Sequence, residues 1–176
     1  EKQLEAGEKV TELSASHKLT ALRAEQPLYV MDSFASISSY GAHGAVVHYA
    51  PTPETDVELK RESLYLLDSG AQYLDGTTDI TRTFAMGPVT DEEKRHFTTV
   101  LKGNLRLGAV KFKEGCTGEN LDMVARQPLW EEGLDYNHGT GHGIGFVLNV
   151  HEVPARINWK GRPGYGENDP FKPGMI

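Results

Sequence analysis

Residues 64–84 limit the fold more than any other part of the chain. Leu64-Tyr65-Leu66-Leu67 is a continuous apolar run leading straight into Asp68, the profile of a strand covered on both faces. Asp75-Gly76 is a strong turn signal, and residues 78–84 are rich in β-branched side chains, so the stretch reads as a β-hairpin. Asp79 falls inside its second strand. Aspartate is a poor strand former. Two of them on neighbouring buried strands are costly as bare charges unless paired or bound to a metal. Two readings stand at this point. Arg82 neutralises one acid while the other caps a turn, or the pair holds a hard divalent cation, which prefers carboxylate oxygens. A hairpin symmetric about Asp75-Gly76 sets Asp79 opposite Gln72 and Asp68 nearer Thr83. Bringing both carboxylates to one point then needs a bend or bulge, and Gly70 is the candidate for it.

The hairpin is flanked by helices on one side and glycine-rich strands on the other. A helix tail ends near Gly7, and Ser14 is expected to cap a second helix with Ala15, Leu19 and Leu22 on one face, ending before Pro27. Residues 36–38 and 45–49 read as strands, the second stopped by Pro51. Thr90 with Glu93 forms a capping box opening a long helix with Phe97, Val100, Leu101, Leu105 and Gly108 at helical spacing. Thr117 caps another, using Leu121, Val124 and Ala125, bent or restarted at Pro128 and closed by Gly133. Residues 138–145 and 147–153 read as strands. The sum is an α+β chain.

Five of the seven histidines, His43, His48, His138, His142 and His151, lie in glycine-rich or strand-like segments. In His138-Gly139-Thr140-Gly141-His142-Gly143 the glycines let backbone approach a ligand closely. A histidine alone in a strand is ordinarily a hydrogen-bonded structural residue. A glycine-framed pair followed by His151 favours a metal or a proton shuttle. The spacing is not that of a zinc finger or a His-Glu-x-x-His helix, and there is no Gly-x-Ser-x-Gly elbow, P-loop or dinucleotide fingerprint. Cys116 reads as a small packed residue rather than a nucleophile.

Bulk properties remove further classes. A chain of 176 residues can bury a core, and a net charge of −7 without a Lys/Arg block argues against nucleic acid or an anionic membrane as partner. One cysteine forms no internal disulfide, which suits a reducing compartment. No apolar run approaches the ~20 residues that span a bilayer. Glu1 to Glu5 read as the middle of a helix, and Met175-Ile176 as a strand just opening after the Lys172-Pro173-Gly174 turn, so both ends are expected to be cuts in a longer polypeptide.

With Val47-His48-Tyr49-Ala50-Pro51, Leu67-Asp68-Ser69-Gly70-Ala71-Gln72-Tyr73, Asp75-Gly76-Thr77-Thr78-Asp79-Ile80-Thr81-Arg82-Thr83-Phe84, His138 to Gly143 and Asn149-Val150-His151-Glu152, the chain resembles the aminopeptidase P family. The motifs run in order with matching spacing over nearly the whole chain. They look most like the cytosolic, multi-domain eukaryotic members. The resemblance implies a pita-bread fold truncated on its C-terminal side, with residues 1–176 a partial metallopeptidase catalytic domain. It implies Asp68 and Asp79 as metal ligands, Asp79 bridging two ions, and His142 as the histidine ligand. His48 then lies near the scissile region, His151 contacts the substrate carbonyl, and His138 lines the pocket. The implied cofactors are two divalent ions, foremost Mn2+, with Zn2+ or Co2+ as the other fits. They would polarise the carbonyl, ready a bridging hydroxide and steady the oxyanion. The implied partners are peptides with proline second. Neither nucleic acid nor membrane is expected, a homodimer is left open, and the address is cytoplasmic.

The family centre also needs two glutamates, expected beyond Ile176. Glu152 and Glu167 do not stand at matching positions. Two aspartates and one histidine cannot hold two ions at good coordination, so the chain alone is expected to bind metal weakly and be inactive. Prolidase and methionine aminopeptidase share the fold and are the nearer alternatives. A non-catalytic pita-bread module that binds proteins is the more distant one, and the ligands present count against it. The Ala50-Pro51-Thr52-Pro53 loop and the Asp75-Gly76-Thr77-Thr78 turn favour aminopeptidase P.

Overall fold

The computed structural model describes residues 2–160 and 169–176. The chain divides into two compact units: Glu1–Val89 with Phe146–Val150, and Thr90–Gly145 with His151–Ile176.

The first unit opens on a short helix α1 (Lys2–Glu5) and a longer α2 (Glu12–Ala24). The cap of α2 is Thr11 rather than Ser14. Ser14 is the reciprocal residue of a capping box, taking the Thr11 N–H on its Oγ at 2.8 Å. Six strands follow: β1 (Tyr29–Asp32), β2 (Ile37–Tyr40), β3 (Leu64–Ser69), β4 (Ala71–Tyr73), β5 (Gly76–Thr77) and β6 (Ile80–Ala85). They form two three-stranded antiparallel sheets, β1-β4-β5 and β2-β3-β6. Residues 45–49, read above as a strand, instead lie in a 3-10 helix (Gly41–Ala45) and a tight turn. In β3 only Tyr65 and Ser69 are buried, so the apolar run is not covered on both faces.

The hairpin turns one position earlier than the Asp-Gly signal suggested. Tyr73 pairs with Gly76, leaving Leu74 and Asp75 as the two-residue loop, and Gly76 is the first residue of β5. One pairing offset then runs the length of the hairpin, through Thr78 N–H to Ala71 O (2.9 Å) and Ser69 opposite Ile80, to Leu64 opposite Ala85. The ladder is interrupted only at Gly70. There the Ala71 N–H goes to Thr78 Oγ1 (2.9 Å), while Ser33 Oγ donates to the Thr78 carbonyl (2.9 Å). A Cβ on Gly70 would stand 1.8 Å from Thr78 O, so no side chain fits. From α2, Arg23 Nη2 donates to Ser69 O and Oγ (3.2 and 2.9 Å), bracing the same point.

The second unit packs α3 (Asp91–Ala109) on α4 (Gly118–Trp130) and α4 on a two-stranded sheet of β7 (Gly141–Gly143) and β8 (Glu152–Ile157). The Thr90–Glu93 capping box is present, Thr90 N–H reaching Glu93 Oε2 at 2.7 Å. The apolar spacing of α3 located the helix but not its packed face. Thr99 and Gly103 are buried, whereas Phe97, Val100, Leu101 and Leu105 are exposed. Helix α4 passes through Pro128 to Trp130 without restarting. Pro128 stands in the last turn, where only one ladder bond is lost. Residues 147–150 are loop rather than strand, and Met175-Ile176 follow the Pro173-Gly174 turn without forming one. Glu1 and Glu167 lie outside the described residues.

Glycine sets the approach of α4 to β8. A Cβ on Gly118 would stand 1.6 Å from the carbonyl oxygen of Arg156. Gly118→Ala is therefore expected to destabilise the protein by about 1–3 kcal/mol through overpacking. Urea denaturation measures it, and a loss below about 0.5 kcal/mol, the size of an ordinary surface change, would contradict the contact.

Candidate functional site

The pairing offset decides how the two acids of the hairpin stand. Asp68 lies opposite Thr81, and the offset continued through the break sets Asp79 opposite Gly70. Gly70 itself lies between β3 and β4, which belong to different sheets, so the break in the ladder falls at the residue expected from the sequence to bend the chain between the two acids. With the alternation carried across that break, Asp68 and Asp79 would be diagonal neighbours, roughly 7–8 Å apart. Arg82 is opposite Leu67, hence on the other face, where Nη1 donates to Thr81 O at 2.7 Å. It is not placed to neutralise the pair. Oδ1 of Asp68 is closed off from solvent.

His48 also belongs to the first unit. It is the third residue of a turn closed by Tyr49 N–H to Val46 O (3.1 Å), its side chain is exposed, and its φ is +57°. Left-handed backbone is uncommon outside glycine, although histidine, like asparagine and aspartate, adopts it more readily than most residues. The third position of a type II turn is one place that requires it.

His138, His142 and His151 belong to the second unit. The rings of His142 and His151 meet edge to face with centroids 4.1 Å apart. His142 sits on β7, half-buried, its Nδ1 2.9 Å from Gly143 O. A carbonyl only accepts, so Nδ1 carries a proton, and a backbone carbonyl on one ring nitrogen is the orienting contact that metal-ligating histidines commonly have. His138 is exposed, stacks on Tyr136 at 4.7 Å and turns Nδ1 to Gly139 O (2.8 Å). Beneath it Arg126, fully buried in α4, gathers Asp122 (2.5 Å), Asp135 (2.7 Å) and the carbonyls of Tyr136 and His138 (2.6 and 2.8 Å).

Two carboxylates of one hairpin and an imidazole are the donor types a hard-to-borderline divalent ion takes. In kind they fit the implied metals. In number they do not complete two coordination shells. Among the described residues no group of three or more His, Cys, Asp or Glu stands together as a metal site.

Three buried polar residues supporting these segments went unread in the sequence. Glu12, Gln72 and Arg126 are each almost wholly inaccessible. Gln72 takes Val147 N–H on Oε1 (3.0 Å) and donates from Nε2 to Leu148 O (3.2 Å), tying the Phe146–Val150 segment to the hairpin. A signal existed for two of them: Glu12 precedes Ala15 and Leu19 by three and seven residues. Asp122 and Arg126 form an i,i+4 pair beside Leu121, Ala125 and Leu129. Charge on an apolar stripe marks a buried network.

The fold is that of a metallopeptidase family. Residues 2–176 match the model of metallopeptidase family M24, and the chain belongs to that family, with the pita-bread fold. It is 50% identical over 176 residues to aminopeptidase P1 of Lotus japonicus, a match covering 93% of this chain and 27% of that protein. It is 47% identical to a probable Xaa-Pro aminopeptidase P of Laccaria bicolor, over 99% of this chain and 27% of that protein. Among solved structures, the X-prolyl aminopeptidase of Caenorhabditis elegans, described as a cytosolic enzyme with a dinuclear active site, superposes with a TM-score of 0.85. It shares 44% identity over 91% of this chain and 26% of that one. The prolidase of Pyrococcus furiosus superposes at 0.79 with 28% identity, over 93% and 45%. The chain thus spans about a quarter of the length of the aminopeptidases it matches.

Proposed function

We propose that the chain is the part of a Xaa-Pro aminopeptidase catalytic domain that supplies the aspartate and histidine ligands. The full-length gene product then releases the N-terminal residue of peptides with proline second. The observation that carries this reading is the placement of Asp68 and Asp79 on the paired arms of one hairpin, on either side of the Gly70 break, together with 44–50% identity to eukaryotic aminopeptidases P against 28% to a prolidase. A pair of divalent ions, when bound, supplies Lewis acidity and an activated water. The chain's own residues hold and orient. Asp68 and Asp79 offer oxygens from a braced hairpin, and His142 offers Nε2. His48 and His151 present imidazoles for the peptide around the scissile bond, and His138 lines the approach. Manganese as the metal, peptides as the partners and a cytoplasmic address belong to the same reading, the last supported by the cytosolic nematode relative.

The test is an assay of the full-length gene product with and without manganese. The substrates are a tripeptide with proline second, its alanine counterpart and a Xaa-Pro dipeptide. Metal-dependent cleavage of the proline tripeptide, favoured over alanine on the order of a hundredfold, is the expected result. Equal cleavage of proline and alanine peptides, or indifference to metal, would overturn the reading. Cleavage of the dipeptide alone would replace it with a prolidase.

A further inference from the structure

Glu12 lies in the first turn of α2, yet its carboxylate is fully buried. A buried carboxylate persists only when donors surround it, and here the donors come from one stretch of chain. Oε1 accepts from the Tyr40 N–H at 2.5 Å, His43 Nδ1 lies 3.0 and 3.1 Å from the two oxygens, and Oε2 accepts from Tyr49 Oη at 2.8 Å. The Glu12 carbonyl takes Ser38 Oγ at 2.7 Å, and Ser38 is bonded in turn to Tyr65 on β3. The carboxylate is thereby fixed to the sheet that carries Asp68.

His43 and Tyr49 bracket the turn that holds His48. Their rings stack with centroids 4.4 Å apart. His43 O accepts from Val46 N–H (3.0 Å) and Val46 O from Tyr49 N–H (3.1 Å), so two linked turns close the loop between the two anchored rings. His48 stands at the left-handed position of the second turn. A left-handed backbone at a non-glycine residue persists when its surroundings over-determine it. Those surroundings include Tyr49 and His43, both held by the Glu12 carboxylate, with Thr55 also bonded to the Tyr49 hydroxyl. Nothing else about α2 requires a buried acid at this position.

We propose that Glu12 is a positioning residue for His48, acting through Tyr49 and His43 to hold the turn that presents the His48 imidazole. The inference rests on the reading of His48 as a substrate-side group. Tyr49→Phe removes the hydroxyl contacts to Glu12 and Thr55 while keeping the ring on His43. Glu12→Gln keeps the size but turns an N–H2 towards a donor.

A double-mutant cycle on the full-length gene product separates positioning from general support. Tyr49→Phe is expected to lower kcat/KM for the proline tripeptide about tenfold, mostly in kcat, with metal content near wild type and a lowered thermal midpoint, because a buried carboxylate loses one donor. In a His48→Ala background the same change is expected to alter kcat/KM less than about twofold, because the group being positioned is gone. Equal factors in both backgrounds overturn the proposal, as does a Tyr49→Phe enzyme with wild-type kinetics. Should Tyr49→Phe fail to fold, the Glu12→Gln cycle gives the same decision. Full activity of His48→Ala itself would sink the assignment of His48 and this inference with it. Absence of any Xaa-Pro cleavage by the wild type would instead sink the proposed function.

Discussion

Asp79→Asn in the full-length gene product is expected to reduce cleavage of the proline tripeptide by at least about 10³-fold while leaving the thermal midpoint nearly unchanged. The substitution keeps shape and volume. It removes the negative charge and replaces one acceptor oxygen with a donor, so the site loses a hard ligand rather than a packing element. Asp79 sits between β5 and β6, where the ladder is already open, so the substitution changes no residue of a paired strand. The companion Asp68→Asn is expected to lose activity to a similar degree. It falls on β3 itself with a solvent-excluded oxygen, so a stability change accompanies it more readily. Metal content by elemental analysis separates the two explanations of any loss. A ligand role predicts reduced stoichiometry in the variant, and retained stoichiometry with retained activity would remove Asp79 from the centre.

Much of this hairpin was legible in the sequence. The apolar run before Asp68 and the β-branched run after Thr78 gave its strands, because burial and β-propensity agree there. Its register was not legible. Asp-Gly is the strongest short hairpin signal, but Gly76 is drawn into the ladder by Tyr73, and the turn moves to Leu74-Asp75. That single step moves Asp79 away from Gln72, which pairs with Thr77 instead, to the break in the ladder at Gly70. The setting of His48 was misread for a related reason. Ala45-Val46-Val47 has strand composition, while the force that folds it into turns is the distant carboxylate of Glu12, more than thirty residues upstream. Local propensity carries no information about such a partner. The helices were easier, since caps are local, and Thr90-Glu93 was read correctly. The packed face of α3 was not, because its close contact uses Gly103 against Ala125 rather than the larger apolar residues.

Arg126→Met is expected to destabilise the protein by about 3–5 kcal/mol, the largest stability effect in the second unit. Arg126 and Asp122 are both inaccessible, and the guanidinium fills its donors with Asp122, Asp135 and two carbonyls while lying 3.8 Å from the centre of the Tyr136 ring. Burial works against the charge, but Asp122 and Asp135 outweigh it and hold the group above the usual arginine range. Methionine keeps the apolar stem and leaves the Asp122 carboxylate buried without its cation. Arg126→Lys is expected to recover little, because one ammonium cannot reproduce the fork that reaches four acceptors. Asp122→Asn combined with Arg126→Met should lose less than Arg126→Met alone, since the stranded charge is removed. Acid provides an independent check. Burial tends to raise the Asp135 carboxyl, yet Arg126 and the Tyr136 N–H together hold it below its ordinary value. A depressed carboxyl contributes stability that is present above its unfolded pKa and lost as pH falls through the folded one, so the contribution disappears below about pH 4. That part of the acid limb should be missing in Arg126→Met. Because Asp135 is partly exposed, the missing part is the smaller share of the effect. A loss below about 1 kcal/mol at neutral pH would contradict a buried charge network that depends on the Arg126 guanidinium.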